Sequence, residues 1–370
     1  MDTRLIGRPV EDIDTPALVV DLAVLQRNID ALQRAARRAQ LELRPHIKAH
    51  KTSEIARMQL AAGAAGITAA KVSEAEAMLP CGAEEVFIAN QVVGEAKVAR
   101  MVELSEGVRL SAAVDSLAVA QGYSAAFAHS GRVFDVLIDV DSGSGRCGVR
   151  PDDAPGLARG IAGMPGLHLA GIMSYGGGAY AARGREGFER AAAEEGRFMA
   201  AVADRLQADG HIIARISGGT TPTGPHYALG CGLTEIRSGT YALNDMNQVD
   251  LGAAQVGDIA ATILATVIST SQPGRVILDA GSKALATQVT PLSPGCGWVL
   301  DDLSAVVDRL NDEHGYLDIR RAMRTYAVGD KVRVIPPRIC TALNLYDALY
   351  LCEDGRVADV LPIAGRGRSQ

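Results

Sequence analysis

The sequence predicts an α/β fold, a (β/α)8 barrel followed by a β-rich C-terminal domain. Three observations lead there. Short apolar or β-branched runs alternate with amphipathic helical stretches through the first two thirds of the chain. Beyond about residue 250 the texture changes to strand-like runs punctuated by Gly and Pro. The 370 residues, 48% of them hydrophobic, also exceed what one core usually organises.

In chain order, Ala17 to Asp21 reads as a strand, and Val24 to Ala39 as a helix because Leu25, Ile29, Leu32 and Ala36 recur on one face. Further strands are expected at Leu41 to Ile47, Gly66 to Ala69, Glu85 to Ala89, Val108 to Val114, Val133 to Val140, Leu167 to Met173 and Ile212 to Ser217. The longest helical pattern runs from Arg185 to Ala208, where Phe188, Ala191, Ala192, Phe198, Met199, Val202 and Leu206 share a stripe, and Gly210 ends it. Eight or so βα repeats over roughly 230 residues match a TIM-type barrel, but an open doubly wound sheet has the same local pattern, so periodicity leaves closure undecided. After the barrel, Ile259 to Ser269 and Arg275 to Leu278 read as strands, Leu303 to Leu310 as a helix, and Ala364 to Gln370 as a loose polar tail. The expected division is a barrel over 15–248 and a β-rich domain built from 1–14 and 249–370.

Composition removes several function classes. A net charge of -6, with Lys and Arg scattered, speaks against nucleic acid as partner. The first fifteen residues are rich in charge and hold no apolar core of a leader, and no stretch approaches the ~18 apolar residues of a membrane span. Six cysteines lie far apart with no Cys-x-x-Cys, as expected of reduced thiols in a cytoplasmic protein. Aromatics at only 4%, with abundant Ala and Gly, suit closely packed α/β layers.

The strongest local chemical signal is Arg44-Pro45-His46-Ile47-Lys48-Ala49-His50-Lys51, where an apolar strand ends and cationic or imidazole groups crowd together. Strand C-termini build the active site of a barrel. A lysine held there among other cations has its ammonium form disfavoured, which frees an amine to condense with a carbonyl. The residues alone fit a solvated basic loop equally well.

Other segments resolve the matter by resemblance. Asp14-Thr15-Pro16-Ala17-Leu18-Val19-Val20-Asp21, the Arg-Pro-His-x-Lys segment and Lys71-Val72-Ser73-Glu74-Ala75-Glu76 closely resemble the D-threonine aldolase and D-serine dehydratase family, relatives of the alanine racemase barrel. Asn90-Gln91-Val92-Val93-Gly94, Gly145-Arg146-Cys147-Gly148-Val149, Arg237-Ser238-Gly239-Thr240-Tyr241, Asp279-Ala280-Gly281-Ser282-Lys283-Ala284 and Asp354-Gly355-Arg356 continue the match in the family's order. The resemblance implies pyridoxal 5'-phosphate as cofactor, Lys48 as the lysine that carries it, and a homodimer acting on a small D-amino acid. It assigns Lys283 to the β-rich domain, away from the cofactor.

The same resemblance distributes the remaining site residues. Ser217-Gly218-Gly219-Thr220-Thr221-Pro222-Thr223, a Gly-rich loop after a strand, takes the place of the phosphate loop, with Ser217, Gly219 and Thr220 as its binding residues. Gly239, Thr240 and Tyr241 take the other half of that cradle, consistent with the barrel preference for phosphate sites after the last two strands. Taken alone, each loop is also an ordinary Gly-rich turn. Arg146 and Tyr175 match residues beside the pyridine ring.

One departure stands out. Metal-dependent members carry Pro-x-His-x-Cys or Pro-x-His-x-Asp followed by Asn, whereas this chain has Pro336-Pro337-Arg338-Ile339-Cys340 and then Asn344. A lone thiolate beside a guanidinium is a poor divalent site, so no metal ligand carries over and divalent metal is doubtful. Arg338 is expected to serve instead as a hydrogen-bond donor to a substrate oxyanion or carboxylate. The function expected is a lyase on D-β-hydroxy amino acids, of the D-threonine or 3-hydroxy-D-aspartate aldolase type or the D-serine dehydratase type. A racemase or other metal-free Cα chemistry is the alternative, with Tyr175, His46 or a partner-chain residue as second acid/base. A cofactor carrier without catalysis fits less well, because such carriers lack an appended β domain.

Overall fold

The computed structural model describes residues 3–288, 292 and 294–370. It divides into two compact units, one made of Asp30–Lys48, Ser53–Gly239 and Arg368–Gln370, the other of the chain up to Ile29, Ala49–Thr52 and Thr240–Gly367.

The first strand, β1 (Ala17–Asp21), belongs to the second unit. The first unit is built on β2 (Glu42–Leu43), β3 (Ile67–Ala69), β4 (Glu85–Ile88), β5 (Arg109–Val114), β6 (Phe134–Asp139), β7 (Leu167–Met173), β8 (Arg215–Gly218) and β9 (Glu235–Ile236). All pair in parallel, in the order β2-β9-β8-β7-β6-β5-β4-β3. The two ends of that sheet meet: His46 bridges Thr68 in parallel, and Ala65 N–H and Thr68 N–H donate to the carbonyls of Leu43 and Pro45 at 2.9 and 2.8 Å. The sheet is therefore a closed barrel rather than an open doubly wound one. Its strands are apolar on both faces because the barrel lumen and the outer helices each need a dry surface; Phe87, Ala113, Leu137, Ala170 and Met173 pack into one cluster. The helix Gly184–Ala208 buries Phe188, Ala192, Met199, Val202 and Leu206, as its periodicity requires, and Gly210 follows its end at φ +88°.

One end of the lumen is ionic. Glu85, Arg109, Arg215 and Glu235 begin their strands, and Arg44 follows β2. Arg44, 1% exposed, donates through Nε to Glu235 at 3.0 Å and through Nη2 to Glu85 at 2.8 Å. Arg215 approaches the same two carboxylates at 3.3 and 3.5 Å. Burial works against the charge on Glu235, but Arg44 and Arg215 outweigh it and hold its carboxyl below the usual range. Gly66 is required here, since a Cβ would lie 2.3 Å from Arg44 Nη1. Removing one partner strands a buried charge, so Arg44→Met is expected to lower unfolding free energy by about 3–5 kcal/mol in urea denaturation. A loss of under about 1 kcal/mol would show the cluster to be solvated.

The second unit contains β1 with β10 (Ala261–Gln272), β11 (Arg275–Leu278), β12 (Gly297–Val299), β13 (Asp302–Leu310), β14 (Gly315–Asp318), β15 (Lys331–Ile335), β16 (Ala348–Glu353) and β17 (Arg356–Pro362). Their order is β11-β14-β13-β12-β15-β10-β1-β16-β17, and β10 also pairs β11, so β10 to β15 close into a mainly antiparallel barrel.

Three expectations are corrected. Ala17–Asp21 does not head the parallel barrel but pairs antiparallel with β10 and parallel with β16, which moves residues 15–29 out of the expected 15–248 domain. The eighth barrel strand is instead β9, two residues long. Leu303 to Leu310 is strand, not helix: Ala305 and Val307 are fully buried while Ser304 and Val306 are only partly so and Asp308 is exposed, a period of two that β-branched Val306 and Val307 favour. The C-terminal tail is fastened, with Gly365 N–H on Lys51 O at 3.0 Å and Ser73 Oγ on Gln370 O at 2.7 Å. Backbone bonding outweighs its polar composition.

Candidate active site

Beyond β2 the chain runs through Arg44-Pro45-His46 into a 3-10 turn, Ile47–Ala49. Ile47 and Ala49 are buried and Lys48 between them is exposed, so the turn anchors itself by its apolar neighbours and leaves the lysine side chain outside the core at the C-terminal side of the barrel. His46 is buried, its N–H held by Ser238 O at 3.0 Å. Gly239 lies against it, where a Cβ would come within 2.8 Å of His46 O.

The loop after β8 is tied down from within. Thr220 N–H donates to Thr223 Oγ1 at 3.1 Å, and Ser238 Oγ donates to Thr220 O at 2.7 Å, which joins this loop to the one after β9. Gly219 adopts φ +83° and a Cβ there would lie 2.9 Å from Ile236 Cβ, so only glycine lets the backbone pass so close. The Ser217 hydroxyl is fully buried, donates to Glu235 Oε1 at 2.5 Å and accepts from Arg237 Nη1. Gly219 N–H is likewise taken, by Glu195 Oε1 at 3.1 Å. Both shape the loop from beneath.

Arg146 and Tyr175 form a second grouping in the same unit. The guanidinium carbon stands 4.4 Å from the tyrosine ring centroid, a cation–π stack. Asp141 builds the arginine's loop: one carboxylate oxygen accepts N–H groups of Gly143, Ser144 and Gly145 at 3.0, 2.8 and 3.2 Å. Ser142 Oγ then donates to Tyr175 O at 3.0 Å and fastens the arginine loop to the tyrosine loop. Burial is the largest single influence and raises the Asp141 carboxyl, but the three backbone donors together outweigh it and hold the group below its ordinary value. Asp139, at the end of β6, was missed by sequence reasoning. It is buried, takes Gln91 Nε2 at 2.9 Å, and is pushed up by burial against the pull of Gln91 and Arg237. The alternation of β6 marked it as a strand residue and nothing marked it as polar lumen.

In the β-rich unit, Thr240–Ala242 forms a 3-10 turn with Tyr241 buried, and Thr240 Oγ1 lies 3.7 Å from Cys340 Sγ. Arg338, half-buried, precedes the short helix Ile339–Leu343, whose first N–H is capped by Asp245 Oδ2 at 3.1 Å. Burial pushes the Asp245 carboxyl up to about 6, against the backbone donors and Arg338. Oxygen ligands nearby are engaged: Asn344 Oδ1 accepts from Lys51 Nζ at 2.8 Å and Asp347 pairs with Arg366 at 2.8 Å. The residues around Cys340 do not fit a divalent cation, because the side chain two residues before it in sequence is a guanidinium, which cannot ligate a metal. Pyridoxal phosphate does fit the barrel unit, which offers an exposed lysine at a strand end and a glycine-lined pair of loops too close-packed for any Cβ.

Comparison with known proteins agrees with this architecture. The family model described as alanine racemase, N-terminal domain, matches residues 20–245, and a serine dehydratase domain model matches residues 260–352. D-threonine aldolase of Arthrobacter is 36% identical over 98% of this chain and 96% of that protein. D-threo-3-hydroxyaspartate dehydratase of Delftia is 31% identical over 93% and 96%. The crystal structure of D-threonine aldolase from Filomicrobium marinum superposes with a TM-score of 0.89 at 30% identity, covering 99% of each chain. Alanine racemase of Clostridium difficile, at 14% identity and a TM-score of 0.70, shares the fold. Fold, motif order and full-length likeness agree that this chain belongs to the D-threonine aldolase and D-serine dehydratase family of alanine racemase-like proteins.

Proposed function

We propose that this chain is a pyridoxal-phosphate-dependent lyase acting on D-β-hydroxy amino acids. The observation that carries it is Lys48, exposed between two buried residues at the end of a barrel strand, in a chain alike over its whole length to an aldolase and a dehydratase of such substrates. The cofactor, when bound, supplies an electron sink for a bond broken at the substrate's α-carbon. Lys48 would hold it and supply the amine that moves a proton at that carbon. The loops that hold Gly219-Thr220 and Gly239-Thr240-Tyr241 would receive the phosphate; Gly219 and Thr220 shape the first of them, since Glu195 and Thr223 hold their N–H groups, and Ser217 is a buried support. Arg146, stacked on Tyr175, would lie beside the ring; a guanidinium at the ring nitrogen, unlike a carboxylate, would not draw a proton onto it, which would restrain side reactions.

His46 and Tyr175 are the chain's own candidates for a second acid or base. Arg338 takes the role of polarising the β-hydroxyl or clamping a substrate carboxylate. If the bond broken is Cα–Cβ, the β-hydroxyl loses its proton and the products are glycine and an aldehyde. If it is Cα–H, the hydroxyl leaves and the products are a keto acid and ammonia. The racemase alternative is not favoured, since the full-length relatives carry aldolase and dehydratase names. We propose a homodimer in the cytoplasm, by likeness to the family; no described helix is long and apolar enough to cross a membrane.

The test is a panel of D-threonine, D-serine and 3-hydroxy-D-aspartate, with their L-enantiomers, assayed for aldehyde, keto acid, ammonia and change of optical rotation. The proposal expects aldehyde with glycine, or keto acid with ammonia, from a D-substrate alone. Racemisation without either product contradicts it.

A further inference from the structure

The helix Gly184–Ala208 buries a carboxylate, Glu195, that the reaction above does not use; it is 8% exposed. Its Oε1 accepts the Ser174 hydroxyl at 3.0 Å and Gly219 N–H at 3.1 Å, and its Oε2 accepts the Tyr227 hydroxyl at 2.5 Å. These donors come from three places along the chain: the end of β7, the loop after β8, and the segment leading to β9. Glycines make room for the carboxylate. A Cβ on Gly218 would lie 2.7 Å from Oε1 and one on Gly176 2.5 Å from Oε2.

The contact extends along the loop. Tyr227 Oη is 3.2 Å from Thr223 Oγ1, which accepts Thr220 N–H at 3.1 Å. Burial, and after it the neighbouring Glu195, push the Tyr227 phenol far above its ordinary value, so it stays protonated and donates. One carboxylate thereby fixes the loop at Gly219 directly and at Thr220 through two hydroxyls. Packing does not call for a charge in this place, since an apolar side chain fills a helix–strand seam without any desolvation cost. What an apolar side chain lacks is an acceptor for the N–H of a glycine at φ +83°.

We propose that Glu195 is a positioning residue for the phosphate cradle: it holds Gly219 and Thr220 in the conformation that receives the cofactor's phosphate. Arg237, buried nearby, donates to Ser174 O at 2.6 Å and to Ser217 Oγ, and its charge offsets that of Glu195. The inference rests on the loop Ser217–Thr223 being the cradle.

The test is equilibrium binding to the full-length chain freed of cofactor by dialysis, titrated with pyridoxal phosphate and, separately, with pyridoxal. Glutamine keeps the size of Glu195 but has one acceptor oxygen for three donors. Glu195→Gln is expected to weaken pyridoxal phosphate about tenfold or more while leaving pyridoxal within about twofold. Tyr227→Phe, which removes one donor and keeps the ring, is expected to shift in the same direction by about threefold. It carries the test if Glu195→Gln does not fold. Equal weakening of both ligands in either variant would mean a general structural role and overturn the proposal, as would no change in either. A wild-type chain that binds pyridoxal as tightly as pyridoxal phosphate would instead remove the cradle itself.

Discussion

Lys48→Ala is expected to abolish the visible absorbance of the cofactor-loaded protein and to lower turnover by about three orders of magnitude or more, and Lys283→Ala to leave both unchanged. The asymmetry follows from where the two amines stand. Lys48 sits on a turn anchored by buried Ile47 and Ala49 at the end of a barrel strand, the place where barrel chemistry is assembled. Lys283 is 64% exposed and donates to Glu313 at 2.6 Å, which raises its pKa and keeps it an ammonium ion. An ammonium ion has no lone pair for a carbonyl. Lys51, the other nearby lysine, is committed to Asn344 in the β-rich unit. Absorption spectra and initial rates of the two variants decide the matter; retention of colour in Lys48→Ala with its loss in Lys283→Ala reverses the assignment.

EDTA is expected to leave the wild-type rate unchanged, and Arg338→Ala to lower kcat/KM about a hundredfold, the scale of a charge-assisted hydrogen bond lost at a reacting oxygen. The ground is the side-chain chemistry beside Cys340. One thiolate contributes one bond, and a guanidinium two residues away in sequence repels a dication more strongly in a half-buried setting than in water. Nearby oxygens do not stand ready to compensate, since Lys51 holds Asn344 and Arg366 holds Asp347. Arg338→His is expected to introduce measurable affinity for manganese or zinc by calorimetry, without by itself raising activity. Inactivation of the wild type by EDTA, with recovery on adding manganese, magnesium or zinc, would show that a site forms despite Arg338.

The barrel was legible in the sequence because its strands are buried on both faces and read as short apolar runs, and because the long helix keeps a clean stripe from Phe188 to Leu206. Besides Leu303–Leu310, two strands were misplaced or missed for related reasons. Leu18, Val19 and Val20 are marked only by their apolar content, and such a run fits any buried strand. Their membership of the β-rich sheet was set by pairing with β10 and β16, which no local signal encodes. β9 has only Glu235 and Ile236, and its glutamate looks like surface until Arg44 and Arg215 are seen around it.

The site divides in the same way. Lys48, Arg146 and the glycine loops were visible as concentrations of chemistry or of glycine, and the resemblance gave them roles. Ser217 was visible as well, but the partners of its hydroxyl, Glu235 and Arg237, were not. Glu195 and Asp139 were not visible at all. Each is one acid in an ordinary amphipathic or apolar element, and its importance comes from partners far away in the chain: Gly219 and Tyr227 for one, Gln91 for the other. Spacing cannot reveal a hydrogen bond that the fold makes between distant loops.

That Lys48 carries pyridoxal phosphate is tested most directly by borohydride reduction of the cofactor-loaded wild-type protein. Reduction fixes the cofactor to its lysine, and peptide mass mapping then identifies that residue. The added mass is expected on the peptide containing Lys48, in stoichiometric yield. Label on the peptide of Lys283 or Lys71, or no label on a protein that retains full activity, would contradict it.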